Sequence, residues 1–406
     1  MSRTRGSERA ASPPRRGDTV RLSAGPLVFG GACLSRLEDG RVAMLAFAAP
    51  GETVEARIDR VHKDYVEASA VSITEASPAR VAPRCPLFGE CGGCQLQHLG
   101  YGAQTAAKAD IVREQLRRIG GLPDSAVAET VGAAEPWGYR NHIRLSTGRK
   151  FGDVGFMRRG RRSLLKVEHC PIAAPWINEL LPSLQGHGRG LHQVQLRHSA
   201  ATGSYLVTPA IDGIPVESGQ DAYRERLAGH EFRVGANAFF QVNAAQAEVM
   251  VRLVGESLPE QGELLVDAFA GVGTFAAIFA GRFERVIAME ESVPAAADAR
   301  ANTAGIPGVE IMTGKVEELL PELGAVPDAV LLDPPRPGCA PAVIAAICRF
   351  RPGTVVYVSC NPATFARDAR LLVNGGYDLR IVTPIDMFPQ TGHIECMARF
   401  EARAGE

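Results

Sequence analysis

The stretch Leu264-Leu265-Val266-Asp267-Ala268-Phe269-Ala270-Gly271-Val272-Gly273-Thr274 reads as an apolar strand that ends in an acidic residue, breaks at a GxG turn and continues into an apolar helix. A continuous apolar run suits a strand covered on both faces, as in a parallel sheet. The pattern recurs downstream. Arg285 to Met289 is a second strand ending at Glu290, and Val309 to Met312, Ala329 to Leu332 and Thr354 to Val358 continue the series, with helical stretches between them. Strands alternating with helices predict a doubly wound α/β sheet. Tyr377 to Val382 and His393 to Phe400 are expected to close it as an antiparallel pair.

The glycines of the GxG turn let the backbone approach a ligand closely, and an acidic residue about twenty positions on, here Glu290, accepts both hydroxyls of a ribose. A dinucleotide fingerprint wants a third glycine where this chain has Phe275-Ala276, inside the helix. Asp267 at the strand end also suits a ligand with a cationic group better than a pyrophosphate. The ammonium and sulfonium of S-adenosylmethionine fit this pattern better than NAD does.

Two further strand ends carry chemistry. Leu332-Asp333-Pro334-Pro335-Arg336-Pro337-Gly338 sets two successive prolines after the fourth strand, which fixes a rigid non-helical turn and holds Asp333 at the sheet edge. Val358-Ser359-Cys360-Asn361-Pro362 places a cysteine past the next strand, where α/β folds put their chemistry, with Pro362 in the first turn of a helix. Cys360 is read as a nucleophile against the plainer alternative of a buried structural thiol. A proline-stiffened loop is likewise the plainer alternative for Asp333, and its proximity to Cys360 favours an active site.

The remaining composition bounds the partners. The chain has 406 residues, enough for two or three domains, with 46% hydrophobic and 22% charged residues. No run approaches the ~18 apolar residues of a membrane span. Residues 1–16 form an Arg/Ser/Pro-rich stretch without an apolar signal core and are expected to be a disordered basic tail, so a cytoplasmic location is the default. The net charge of −1 is uninformative, but Arg140 to Lys166 holds nine Lys/Arg against one acid, Asp153, with Tyr139, Phe151 and Phe156 interleaved. Charge with stacking surface suits single-stranded RNA. Val20 to Leu22, Arg41 to Phe47, Val54 to Ile58 and Tyr65 to Val71 are short strands between glycine-rich turns, the pattern of a small OB-type barrel. Leu99 to Ile119 reads as a helix ended by Gly120-Gly121, whereas 122 to about 235 shows no clear period.

Cys85, Cys91 and Cys94 form C-x5-C-x2-C in Cys85-Pro86-Leu87-Phe88-Gly89-Glu90-Cys91-Gly92-Gly93-Cys94. Three thiolates set among glycine and proline make a metal-binding loop, and Cys170 in His169-Cys170-Pro171 is the best candidate for a fourth ligand. Spacing alone leaves zinc and an iron–sulfur cluster both open.

Assembled, these residues resemble the RNA 5-methyluridine methyltransferases, in particular the iron–sulfur branch that modifies 23S ribosomal RNA, over almost the whole chain. Gly17 to Glu75 resembles the TRAM domain, Cys85 to Tyr101 the cluster loop, and Phe239-Phe240-Gln241-Val242-Asn243 the segment before the catalytic domain. Asp333-Pro334-Pro335-Arg336, Ser359-Cys360-Asn361-Pro362, Asp386-Met387-Phe388-Pro389 and His393-Ile394-Glu395 complete the set. The resemblance implies a Rossmann-like class I methyltransferase domain over 236–406, a TRAM-like OB barrel over 17–76, and an α+β central domain over 77–235 with the cluster loop and an RNA-facing stretch. It implies Cys360 as nucleophile and Glu395 as general base, with Gln241, Phe269, Glu290 and Asp333 binding S-adenosylmethionine. It further implies that Cys85, Cys91, Cys94 and Cys170 hold a [4Fe–4S] cluster and that Phe239 lies near the target base. The expected partner is RNA, 23S rRNA before full ribosome assembly, with tRNA as the alternative; no DNA or membrane partner is expected, and a monomer is the default. Two positions depart from the pattern: Ala270 replaces a frequent cysteine, and Gly314-Lys315 stands where an acid or amide often approaches the adenine, leaving Lys315 without a role. Amino-group methylation needs no cysteine nucleophile, so Cys360 argues against it. Retention of Gln241, Glu290, Asp333, Cys360 and Glu395 argues against an RNA-binding protein with a dead catalytic fold.

Overall fold

The computed structural model describes residues 13–148 and 150–404, so most of the expected basic tail (1–12) lies outside the described residues. Thr19–Ser23 (β1), Cys33–Arg36 (β2), Val42–Ala46 (β3), Thr53–Val61 (β4) and Tyr65–Glu75 (β5) form a sheet in the order β1-β4-β5-β3-β2. β3 pairs with β5 in parallel and the other ladders are antiparallel, the connectivity of an OB barrel. Along β4 the period of two is plain: Val54, Ala56 and Ile58 are buried while Arg57 and Arg60 face solvent.

Tyr101–Gln115 (α1) continues through a π-helical turn at Leu116–Gly120 and stops at Gly121, whose φ of 65° is the left-handed conformation glycine accepts without strain. The region without a clear period, beyond it, contains a second antiparallel sheet. His142–Thr147 (β6), Val154–Met157 (β7), Leu164–Lys166 (β8), Gln193–His198 (β9) and Tyr205–Thr208 (β10) pair in the order β10-β9-β6-β7-β8. Pro175–Leu180 (α2) packs on it through Ile177 and Leu180. Ala222–Leu227 (β11) and His230–Gly235 (β12) then form a hairpin whose Tyr223, Leu227, Phe232 and Val234 share a core with Met250, Leu265 and Phe275. A boundary at 235/236 therefore cuts through one packed core, and the hairpin goes with the segment C-terminal to it.

That segment runs Ala244–Ser257 (α3), Gly262–Ala268 (β13), Thr274–Phe279 (α4), Phe283–Glu290 (β14), Val293–Thr303 (α5), Val309–Thr313 (β15), Val316–Leu319 (α6), Ala329–Leu332 (β16), Pro341–Phe350 (α7), Thr354–Ser359 (β17), Pro362–Asn374 (α8), Tyr377–Ile385 (β18) and Glu395–Ala402 (β19). The seven strands are ordered β15-β14-β13-β16-β17-β19-β18, parallel from β15 to β17, with β19 inserted antiparallel beside β17. Strand order reverses between β13 and β16, and ligands of open α/β sheets bind beyond the carboxyl ends at such a switch point. No helix among the described residues is long and apolar enough to cross a membrane.

The loop between β18 and β19, residues 386–394, is gripped from several sides. Lys108 of α1 donates to Asp386 Oδ1 (2.6 Å) and to Phe388 O (3.2 Å), with both charged side chains fully enclosed. Gln104, one turn earlier, exchanges two hydrogen bonds with Gln390 (3.0 Å each), whose φ of 69° is rare outside glycine. The amides of Gln95 and Leu96 donate to Gln390 O, Gln95 Oε1 accepts from Gly392 N (3.1 Å), and Gly30 N of the barrel donates to Gly392 O. Tyr139 OH donates to Pro389 O (3.0 Å), and Gln246 of α3 donates to Asp386 O.

Removing one partner of a buried ion pair leaves the other charge uncompensated, so Lys108→Met should cost about 3–5 kcal/mol of stability. Lys108→Met/Asp386→Leu should recover much of that loss. A double-mutant cycle by chemical denaturation checks this; additive losses would mean that the pair is not coupled.

Candidate active site

Strand register brings the reactive groups together. The antiparallel β17–β19 ladder ends with Ser359 opposite Cys396, so Cys360 leaves β17 at the end where Glu395 enters β19, close enough for that carboxyl to act on the thiol. Leu332 is level with Ala268 on one side and Tyr357 on the other, so Asp333 emerges between the ends of β13 and β17 and its amide reaches Ala268 O (3.4 Å). The Asp333–Gly338 turn is tied to the Cys360 loop, because Asn361 Nδ2 and Thr364 Oγ1 both donate to Arg336 O (3.1 Å each). Asn361 Oδ1 also caps α8 by accepting from Ala363 N, with Pro362 at the first helical position.

The electrostatics of this cluster are those of acids crowded out of water. Glu395 is only 3% exposed, and burial together with Asp333 holds its carboxyl well above the usual range. Burial pushes Asp333, which lines a partly open notch, up to about 7. The Cys360 thiol is pushed up to about 11 by burial, then by the carboxyls of Glu395 and Asp333, with Arg336 pulling the other way. Arg336 and Arg367 both lie close in sequence, but only Arg336 acts on the thiol. Arg367 is spent on Asp368 Oδ1 (2.8 Å) and on the carbonyls of Pro337 and Cys339. Asp368 in turn accepts from Cys339 N and Tyr357 OH, making a buried post under the loop.

The other expected binding residues line the same edge. Phe269 follows β13 with φ of 66°, costly for an aromatic residue and a mark of a constrained site. A side chain at Gly271 (φ 56°) would meet nothing within 4 Å, so the turn faces open space. Glu290 is fixed by Gly271 N on Oε2 (2.8 Å) and Ser292 N on Oε1 (2.7 Å), leaving lone pairs for ribose hydroxyls. Gln241 Oε1 is buried without a partner among the described residues, an acceptor suited to an ammonium donor. Asp267 differs from expectation: it lies wholly beneath the glycine turn, pushed up to about 8 by burial, and Oδ2 accepts from Ala276 N. It buttresses the turn from below. Phe239 is 66% exposed beside this edge.

The four cysteines also converge. Cys94 is pushed up to about 12 by burial, with Cys170, Cys91 and Cys85 adding to the rise, and Cys170 is raised by burial and by Cys85 and Cys91. Gly93 N donates to Cys91 Sγ (3.3 Å), and Asn178 Oδ1 holds the Cys170 amide. All four are unpaired thiols, and among the described residues no group of three His, Cys, Asp or Glu stands close enough to hold a metal ion.

Gln104 and Lys108 were missed in the sequence. Their signal was present: they sit on the buried stripe of α1 with Ile111 and Val112, where polar residues need partners.

A doubly wound sheet with an acid and a glycine turn at the ends of adjacent strands beside its switch point is the arrangement of a methyltransferase fold. Residues 220–323 and 325–403 match the family described as tRNA (Uracil-5-)-methyltransferase, and 15–71 match the TRAM domain. The chain is 35% identical to an uncharacterized RNA methyltransferase of Gloeobacter violaceus, over 95% of this chain and 97% of that protein. It is 32% identical to one of Halalkalibacterium halodurans, over 97% and 99%. Its fold is similar to the Pyrococcus abyssi tRNA (uracil-54, C5)-methyltransferase in complex with S-adenosyl-L-homocysteine, with TM-score 0.73 and 27% identity, covering 94% of this chain and 100% of that one. The chain belongs to the S-adenosylmethionine-dependent RNA uracil-5-methyltransferase family.

A thiol held near 11 has a thiolate fraction that falls tenfold for each pH unit below that value. Alkylation of Cys360 in the free protein should therefore climb steadily from pH 7 to about 10, and Arg336→Met should slow it. A rate that levels off by about pH 8 would contradict the arrangement described.

Proposed function

We propose that this chain methylates carbon 5 of one uridine in 23S ribosomal RNA, as a cytoplasmic monomer acting before the ribosome is fully assembled. The observation that carries the reading is the meeting of Cys360, Glu395 and Asp333 at adjoining strand ends. Carbon 5 of uracil is a poor nucleophile. Beside the cationic cofactor Cys360 and Glu395 give up their protons to solvent; the thiolate sulfur bonds to carbon 6 as the C5–C6 π pair shifts, and the ring becomes an enolate with carbanion character at carbon 5. S-adenosylmethionine supplies the methyl group and carries the sulfonium that leaves as a neutral thioether. Glu395, as carboxylate, then takes the carbon 5 proton; the C5–C6 double bond re-forms and the C6–S bond breaks, releasing the thiolate. High proton affinity suits Glu395 to accept from carbon. Gln241, Phe269, Glu290 and Asp333 hold the cofactor, and a cationic ligand is the electrostatic complement of three crowded acids. Phe239 stacks against the unstacked target base, offsetting a cost of roughly a few kcal/mol.

Cys85, Cys91, Cys94 and Cys170 hold a [4Fe–4S] cluster in this reading. Four thiolates leave no open position, so the cluster organises the loop and takes no part in methyl transfer. TRAM residues 17–76 and the basic hairpin between β7 and β8 bind RNA. The second reading, tRNA methylation at the same carbon, is favoured by the similarity to the Pyrococcus abyssi tRNA enzyme.

Mapping 5-methyluridine in 23S rRNA and tRNA of a strain lacking the gene should show one ribosomal mark lost, restored by wild type and not by Cys360→Ala. Loss of a tRNA mark alone selects the second reading. Glu395→Gln should accumulate a covalent protein–RNA adduct, since elimination stalls; turnover at the parent rate would remove Glu395 from its role. Protein purified without oxygen should be brown and hold about four iron atoms with matching sulfide. A colourless protein with stoichiometric zinc would overturn the cluster assignment.

A further inference from the structure

Residues 236–243, between β12 and α3, form neither helix nor strand, yet they carry Phe239 and Gln241. The central sheet fixes this strap. Gln195 of β9 donates to Ala236 O (2.9 Å), Arg197 Nη2 of β9 donates to Ala238 O (2.6 Å) and to Ala236 O (3.4 Å), and Asn141 N, just before β6, donates to Val242 O (2.9 Å). The bonds fall on either side of the two functional residues. Ala238 is buried, Phe239 turns outward to solvent, and the Gln241 carbonyl oxygen is buried without a partner among the described residues.

Arg197 is an unusual choice for this task. It is 1% exposed, lies against the Tyr223 ring at 5.6 Å and makes no ion pair among the described residues. Its Nε and Nη1 have no partner there, and neither do Asn141 Oδ1 and His142 Nε2, with His142 directly across the ladder from Arg197. One bond to Ala238 O needs only a neutral donor, whereas a buried guanidinium is costly without compensation. Two unspent donors, an imidazole nitrogen across the ladder and an orphan acceptor on the residue before it form the polar setting that holds a buried water. Such a water would extend the grip from Arg197 to β6.

We propose that Arg197 is a positioning residue for methyl transfer: it sets the height of the strap, so that Phe239 faces the RNA while Gln241 faces the cofactor. The proposal rests on the roles given above to Gln241 and Phe239. The central domain thereby contributes to catalysis through the backbone of another domain.

The test measures S-adenosylhomocysteine affinity by calorimetry, and the rate of covalent adduct formation on RNA containing 5-fluorouridine. Arg197→Met should weaken the first about tenfold and slow the second at least tenfold, with RNA affinity unchanged. Arg197→Lys, which keeps the bond to Ala238 O, should restore both to within about threefold. Parent values for Arg197→Met overturn the proposal, as does a loss in all three measurements that tracks the unfolded fraction. If Arg197→Met does not fold, Arg197→Lys/Gln195→Ala takes its place: cofactor affinity three- to fivefold weaker supports the role and parent affinity overturns it. Gln241→Ala separates the levels. If it leaves cofactor affinity intact, the underlying site assignment fails; if it weakens binding while Arg197→Met does not, only the positioning role fails.

Discussion

The buried pair between Lys108 and Asp386 is the constraint on which the rest of the arrangement depends. Asp386 begins the loop that leads directly into Glu395, and no regular hydrogen-bond ladder supports it. Its shape is therefore set from outside. Lys108 fixes one end and Gln104 holds Gln390 in a left-handed conformation that costs about 1–3 kcal/mol by itself. The barrel, the cysteine loop, the central domain and α3 each add a bond. A strained loop persists only when its surroundings over-determine it, and here each part of the chain contributes. The domains form a frame around the entry to β19.

That frame explains how three acidic groups share one small space. Left in water, Glu395, Asp333 and Cys360 would drift apart or ionise independently. Held at adjoining strand ends by register, all three are raised first by burial, and Asp333 adds to the rise of Glu395 and of Cys360. Arg336 is the one nearby cation that opposes this on the thiol, and it sits on a turn bonded to the Cys360 loop through Asn361 and Thr364. The same side chains that position Cys360 also keep Arg336 in range. Resting inertness and reactivity with a cationic ligand present are then two states of one electrostatic arrangement.

Legibility in the sequence followed the range of the interactions. The glycine turn, the proline-stiffened Asp333 loop and the Cys360-Asn361-Pro362 turn are specified by neighbours along the chain, and each was readable with its strand. The central sheet was not: its strands are three to six residues long and separated by irregular loops, so no period accumulates. The hairpin at 222–235 was assigned across a boundary because its apolar face is defined only by α3 and α4, which come later in the chain. Asp267 looked like a ligand group because an acid at a strand end usually is one, and nothing local reveals that the turn folds over it.

The cysteine loop gains its meaning from its immediate neighbours in the chain. Cys94 is succeeded by Gln95 and Leu96, whose amides both bind Gln390 O, and Gln95 also binds Gly392. A four-thiol site thus adjoins, with no spacer, the residues that grip the catalytic loop's backbone. A loop rich in glycine and proline has no intrinsic stiffness to offer such contacts. Cross-linking its thiols through a common centre would supply the stiffness at the point where the chain turns to hold Gln390. The opposite wall of that site, Cys170, is held by Asn178 of α2, on the same domain whose β6 and β9 fix the strap of Phe239 and Gln241. Cys94 and Cys170 thus lie beside two supports, one under the loop between β18 and β19 and one under the strap of residues 236–243.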